Sequence, residues 1–202
     1  MDRSDWNARY AAVDLVWGAE PNRFVEQELK GRAPEGRALD LACGEGRNAI
    51  WLAEQGWHVT AVDLSDVAIE RGRKLAEDRG VDVEWLCEDL ASWTPPAGAF
   101  QLVVIAYLQI PGDAMRAVLA HVASALAPAG DLMMIGHARQ NLAEGVGGPR
   151  DPALLWSPEE IDDVLSAHGL TVERCEHVQR PVETPEGPRE AIDVIVRANK
   201  SE

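Results

Sequence analysis

The run Ala38-Leu39-Asp40-Leu41-Ala42-Cys43-Gly44-Glu45-Gly46-Arg47-Asn48-Ala49-Ile50-Trp51-Leu52-Ala53 constrains this chain more than any other stretch. Its first five residues read as an apolar strand, and the turn that follows holds Gly44 and Gly46. A helix-compatible run from Arg47 to Gln55 begins at once and is closed by Gly56 at a C′ position. A strand delivered straight into a helix N-terminus forms an anion- and nucleotide-binding corner. The first-turn N–H groups have no intrahelical acceptor, and glycine lets the backbone approach a ligand. The spacing G-x-G-x-x-A (Gly44, Gly46, Ala49) also satisfies a loose dinucleotide fingerprint, so the corner alone does not choose its nucleotide.

From residue 37 onward the pattern alternates. Trp57–Val62 reads as a second strand ending in Asp63, and Ser65 can N-cap the next helix, which Gly80 stops. Val81, Val83 and Trp85 alternate as a third strand, and Leu102–Ala106 is the unbroken apolar run of a strand covered on both faces. Met115, Val118, Leu119, Val122 and Leu126 fall at helical spacing before a fifth strand at Asp131–Gly136. Ser157-Pro158-Glu159-Glu160 is a capping box with Pro at N1, and Trp156 and Ile161 are placed as its hydrophobic staple. Strands at Leu170–Val178 and Ala191–Val196 have only a Pro/Gly-rich turn between them, which predicts an antiparallel pair at the sheet edge. The expected fold is α/β: a doubly wound, Rossmann-like, seven-stranded sheet, mostly parallel with an antiparallel seventh strand.

Two regions flank or interrupt this pattern. Residues 1–36 form an aromatic arm with Trp6, Tyr10, Trp17 and Phe24, broken near Gly18–Asn22 into two short helices. So many aromatics need a surface, which makes the arm either a flap stapled to the core or a lid that excludes water. Residues 37–202 form the nucleotide-binding domain. Within it, Ala138–Leu155 carries Gly145, Gly147, Gly148, Pro149 and Pro152 without clear periodicity, as functional or mobile segments do.

Composition narrows the partners. A net charge of −15 argues against nucleic acid, which needs dense Lys and Arg. No run approaches the roughly 18 apolar residues of a membrane span. Cys43, Cys87 and Cys175 are scattered and make no disulfide framework or metal pair, and His58, His121, His168 and His177 show no ligand spacing, so no metal is expected. The N-terminus leads into no apolar signal segment, so the cytoplasm is the expected compartment. The expected partner is a small molecule, with the chain a monomer or homodimer.

Acids decide between nucleotides. Asp40 precedes the glycines by four residues, Asp63 ends the second strand, and Glu88-Asp89 ends the third. In such folds ligands lie at strand carboxyl ends near the topological switch point, where an acid can hold ribose hydroxyls. Leu39–Ala49 resembles motif I of class I S-adenosylmethionine-dependent methyltransferases. Asp63-Leu64-Ser65, Cys87-Glu88-Asp89-Leu90 and Phe100-Gln101-Leu102-Val103-Val104 resemble that family's second-, third- and fourth-strand motifs. The G-x-G-R-N form and the short length resemble its small-molecule branch, the tellurite-resistance and thiopurine type. Ala42 stands where the family usually has its first glycine, and Gln101 where it usually has Asp.

The resemblance implies S-adenosyl-L-methionine as cofactor. It places the methionine part at Ala42, Gly44 and Gly46, with Arg47 and Asn48 beside it and Asp40 ordering the loop or meeting the amino group. Asp63 would hold the ribose with Leu64 and Ser65 beside it, Asp89 and Leu90 the adenine, and Ala106 the sulfonium side. Tyr107 and His137, at the mouth of the site, are the candidate catalytic residues. Trp6, Tyr10 and Trp17 from the arm, and Arg180 and Arg189 beside the last turn, are the candidate substrate contacts. The expected function is methyl transfer to a small-molecule acceptor. A nicotinamide-dependent oxidoreductase and a non-catalytic S-adenosylmethionine-binding protein remain alternatives.

Overall fold

The computed structural model describes residues 1–201. Helices α1 (Arg3–Ala11) and α2 (Arg23–Leu29) form the N-terminal arm. The alternation follows: β1 (Arg37–Leu41), α3 (Arg47–Glu54), β2 (His58–Asp63), α4 (Asp66–Arg79), β3 (Val83–Cys87), β4 (Phe100–Ala106), α5 (Gly112–Ala125) and β5 (Leu126–His137). A one-turn helix α6 (Asn141–Glu144) and a 3-10 turn at Pro152–Leu154 precede α7 (Pro158–Ala167). Strands β6 (Leu170–Thr184) and β7 (Gly187–Lys200) come last. Among the described residues no helix is long and apolar enough to cross a membrane.

The seven strands lie in the order β3-β2-β1-β4-β5-β7-β6. Six run in one direction, and β7 runs antiparallel to both its neighbours. Strand alternation sorts the core into two layers. Leu39, Leu41, Val103 and Ile105 face α5 and α7, while Ala38, Leu102 and Val104 face α2, α3 and α4. Burial of each such large side chain contributes about 1.5–3 kcal/mol. The connection from β1 goes one way to β2 and β3, and the chain then returns past β1 to β4. That reversal between β1 and β4 is the switch point where a crevice opens.

Local chemistry sets the helix limits as expected. The Ser65 hydroxyl accepts from Ala68 N–H to start α4, and Gly80 ends it in the left-handed conformation. Ser157 and Glu160 form the reciprocal capping box of α7. Two elements differ from the sequence reading. Strand β5 begins at Leu126, which the spacing assigned to the preceding helix. The chain turns directly from α5 into the sheet, Phe100 pairs with Leu126, and a register shift follows before Leu102 pairs with Asp131. The bend is tight, since a Cβ on Gly130 would lie 2.9 Å from the Ala127 carbonyl oxygen. The β6–β7 hairpin is also longer than expected, with paired residues continuing to Thr184 and Gly187. Pro181 and Pro188 sit within its strands rather than in the turn. β6 is an edge strand, so a missing N–H there costs no interior ladder bond.

Candidate functional site

Register brings the strand ends level. Leu41 pairs with Val62 on one side and with Ile105 on the other, so Ala42, Asp63 and Ala106 follow at one height. Above them lies a cavity of about 430 Å³, roofed by the N-terminal arm. Ala42, Gly44, Arg47, Asn48, Asp63 and Leu64 reach its wall, as do Asp89, Leu90 and Ala106. Trp6, Tyr10 and Trp17 contribute from the arm, and Tyr107, His137 and Arg180 from the opposite side.

Asp40, Gly46, Ser65 and Arg189 are not part of that wall. Gly46 has φ +81°, and a Cβ there would stand 2.1 Å from the Trp85 ring, so this glycine serves helix packing on β3. Ser65 is fully buried, caps α4, and donates 2.6 Å to Asn7 of the arm. Arg189 is exposed, paired opposite Val182 near the hairpin tip. Ala42, in the place of a glycine, adopts the left-handed φ of +55°.

Asp63 is the keystone of the loop. Its Oδ2 accepts from Gly44 N–H at 2.8 Å and its Oδ1 from Ser65 N–H at 2.8 Å. Burial raises its pKa from the ordinary value, while these backbone donors oppose the rise. Gly44 itself has φ +57°, and a Cβ on it would come within 2.7 Å of the Tyr10 hydroxyl. The neighbouring Cys43 thiol is pushed well up by burial and by Asp63 and Asp40, which makes it a packing group rather than a nucleophile.

Asp40 lies behind the loop, fully buried, with neither carboxylate oxygen hydrogen-bonded. Burial raises its pKa to about 7 from 3.8, with the Ala49 backbone amide opposing the rise. The folded state therefore holds a proton more tightly than the unfolded chain. The resulting stability is complete below about pH 4 and is lost as pH rises through about 7. Thermal unfolding of the ligand-free protein should show Tm falling across that window, with the slope reduced in Asp40→Asn. Parallel pH profiles for the two proteins would refute the assignment.

The arm is tied to the loop by named contacts. Glu45, between the two glycines, is buried and accepts from Val16 N–H at 2.8 Å and from Arg71 at 3.1 Å. Asn48 accepts from Asn22 N–H at 2.8 Å, and Asn22 in turn caps α2. The Arg47 guanidinium donates to the Trp17 carbonyl at 3.0 Å. Tyr10 stacks with Trp6 at 5.9 Å and accepts from Trp17 Nε1 at 3.3 Å. Burial, with Asp63 nearby, pushes the Tyr10 hydroxyl pKa upward, so it stays a donor. Glu45 was not singled out from sequence, since a residue between two turn glycines carries no pattern of its own.

The opposite wall centres on Asp193, another residue that sequence reasoning passed over. It is fully buried in β7, in register with His137 of β5. Its Oδ1 lies 3.2 Å from His137 Nδ1, and its Oδ2 accepts from Tyr107 Oη at 2.7 Å and from Arg180 Nε at 2.8 Å. Burial opposes its charge, but hydrogen bonds from His137, Arg180 and Tyr107 outweigh that and hold its pKa below the ordinary value. An ionised carboxylate only accepts, so His137 carries its proton on Nδ1. Tyr107 sits at φ +59°, a left-handed conformation costly for an aromatic residue, with its ring 4.7 Å from that of His137. Burial and Asp193 both push its hydroxyl upward, so Tyr107 donates rather than ionises. The one available signal was an acid inside the apolar run Ala191–Val196, where an unpaired charge would be costly.

Comparison with known proteins places this geometry. A family described as "Methyltransferase domain" matches residues 38–130. The ubiquinone biosynthesis O-methyltransferase of Coxiella burnetii is 31% identical over 83 residues, covering 40% of this chain and 34% of that protein. Rat (Rattus norvegicus) glycine N-methyltransferase is 27% identical over 159 residues, covering 70% of this chain and 54% of that protein. The chain thus spans about a third to about half the length of these curated relatives. The crystal structure of TehB from Haemophilus influenzae superposes with a TM-score of 0.73 at 14% identity, covering 98% of this chain and 67% of that one, a likeness of fold. With the motif loop, the level strand ends and the antiparallel β7 all present, the chain is similar over residues 38–130 to the class I S-adenosylmethionine-dependent methyltransferases.

Proposed function

We propose that this chain transfers the methyl group of S-adenosylmethionine to a small-molecule acceptor. The observation that carries the reading is one cavity with two chemically distinct walls. The motif loop with Asp63 and Asp89 forms one, and the cluster of Tyr107, His137 and Arg180 around Asp193 forms the other.

The first wall suits the cofactor. Each Asp63 oxygen has a lone pair beyond the one used by a backbone N–H, enough to take ribose hydroxyls. Leu64 and Leu90 offer apolar faces for adenine, and Asp89 offers an acceptor for its amino group. Gly44, bare of a side chain, leaves the backbone open to the methionine part. When bound, the cofactor supplies a sulfonium-activated methyl group.

The chain's own residues would then position and desolvate. Tyr10 and Trp17 cover the site, which supports a lid reading of the arm. With Nδ1–H held by Asp193, His137 Nε2 keeps a lone pair and can take the proton of an acceptor hydroxyl, thiol or amine. A roofed cavity of this size favours a small acceptor, as in the tellurite-resistance and thiopurine branch.

Titration calorimetry with S-adenosylmethionine, S-adenosylhomocysteine and NAD tests the cofactor. Binding of both adenosyl compounds without NAD is expected. Tight NAD binding with no response to either adenosyl compound would overturn the reading. A screen of small acceptors for S-adenosylhomocysteine release then separates an enzyme from a binding protein.

A further inference from the structure

The charges around the cavity are unevenly divided. Asp63 and Asp89 lie at the strand ends on one side. Arg47 stands with them on the motif loop, and Arg23 and Arg180 reach the same cavity from the arm and from β6, in a protein whose net charge is −15. Of these only Arg180 has an ion-pair partner among the described residues, the buried Asp193. On the β6 side, the guanidiniums of Arg23 and Arg180 beside the single carboxylate of Asp193 leave a local surplus of one positive charge. A bound S-adenosylmethionine would bring a carboxylate beside the motif loop, where Arg47 stands, while its ammonium and sulfonium add positive charge. The surplus beside Asp193 stays uncompensated.

The two remaining guanidiniums both sit at β6. Arg23 Nη2 donates to the Gln179 carbonyl at 3.2 Å, which holds it against β6 next to Arg180. Arg180 uses its Nε for Asp193 and Tyr107, and its terminal nitrogens make no hydrogen bond within the described residues. A fixed guanidinium with free terminal N–H groups matches a planar anion. Leu108 and Ile110 line the same cavity and would accept an apolar body.

We propose that the methyl acceptor is a small organic acid, recognised through a carboxylate held by Arg180 and Arg23. This rests on the methyltransferase reading above. A single surplus charge matches a monoanion better than a dianionic phosphate. The chemistry thus separates this acceptor from a neutral alcohol or an amine, neither of which offers an anion to the two guanidiniums.

The test uses protein saturated with S-adenosylhomocysteine and a panel of aromatic and branched aliphatic carboxylates, each beside its primary amide. Inorganic phosphate is included. Binding is read by calorimetry and by thermal shift, so no turnover is needed. At least one carboxylate should bind about tenfold tighter than its amide, the size expected of a charged hydrogen-bonded pair. Arg180→Gln and Arg23→Gln should each collapse that ratio, and Arg180→Lys should restore part of it. Arg23 lies on the exposed arm, so its variant tests the idea even where Arg180→Gln disturbs the Asp193 cluster. Amides binding as well as acids, phosphate binding in place of the carboxylates, or no carboxylate binding at all would each overturn the proposal. Failure of S-adenosylhomocysteine itself to bind would instead remove the reading beneath it.

Discussion

Asp193→Asn should lower kcat/KM for methyl transfer by about 10²- to 10³-fold, within the range of a general-base contribution. Affinity for S-adenosylhomocysteine should stay nearly unchanged, since Asp193 lies on the acceptor side. The carboxylate receives three donors, from His137, Tyr107 and Arg180. An amide can accept on one side only, so its NH2 would face Tyr107 Oη and Arg180 Nε, both donors. His137 would lose the anion that fixes its proton on Nδ1, and Arg180 would lose its buried counter-charge. A purely structural acid would lower the yield of active protein, whereas here kcat should fall in a folded variant that still binds S-adenosylhomocysteine. Full activity in the folded variant would exclude Asp193 as a positioning residue.

Asp63→Ala acts on the other wall. It removes two charge-assisted hydrogen bonds, to the amides of Gly44 and Ser65. It also removes the acceptor proposed for the ribose. Cofactor affinity should weaken by about 1–3 kcal/mol, roughly fivefold to 150-fold, with a loss of stability of similar size. Calorimetry and urea unfolding measure the two parts separately. Unchanged affinity in a folded variant would show that the ribose hydroxyls are held elsewhere. The pair of variants is also diagnostic together, because Asp193→Asn should spare binding while Asp63→Ala should not.

The two aspartates differ in how they could be found. Asp63 was legible because three cues are local: an apolar strand before it, a helix cap at Ser65 after it, and a glycine turn some twenty residues upstream. Asp40 carried a different cue, an apolar strand around it and the glycines four residues on, yet its carboxylate lies behind the loop and not on the cavity wall. Strand alternation is the reason. Asp40 pairs with Ala61 and Val104 inside the sheet, so its side chain enters the layer beneath α3. Ser65 and Gly46 were placed near the ligand by their motif, but one is used up capping a helix and the other making room for Trp85.

Short-range patterns alone determined the succession of elements along this chain: an alternating α/β pattern, a glycine corner, acids at successive strand ends, a capping box, and an antiparallel final pair. Each depends on residues within a few positions of one another, where propensity, capping and periodicity act directly. Only the tertiary structure decided what faces the cavity. His137 meets Asp193 across an antiparallel ladder, and Arg180 reaches the same carboxylate from the edge strand. Glu45 and Asn48 clasp an arm that begins far upstream. Those contacts depend on register between strands separated by long stretches of chain, and a register shift of one residue would turn each side chain to the opposite face.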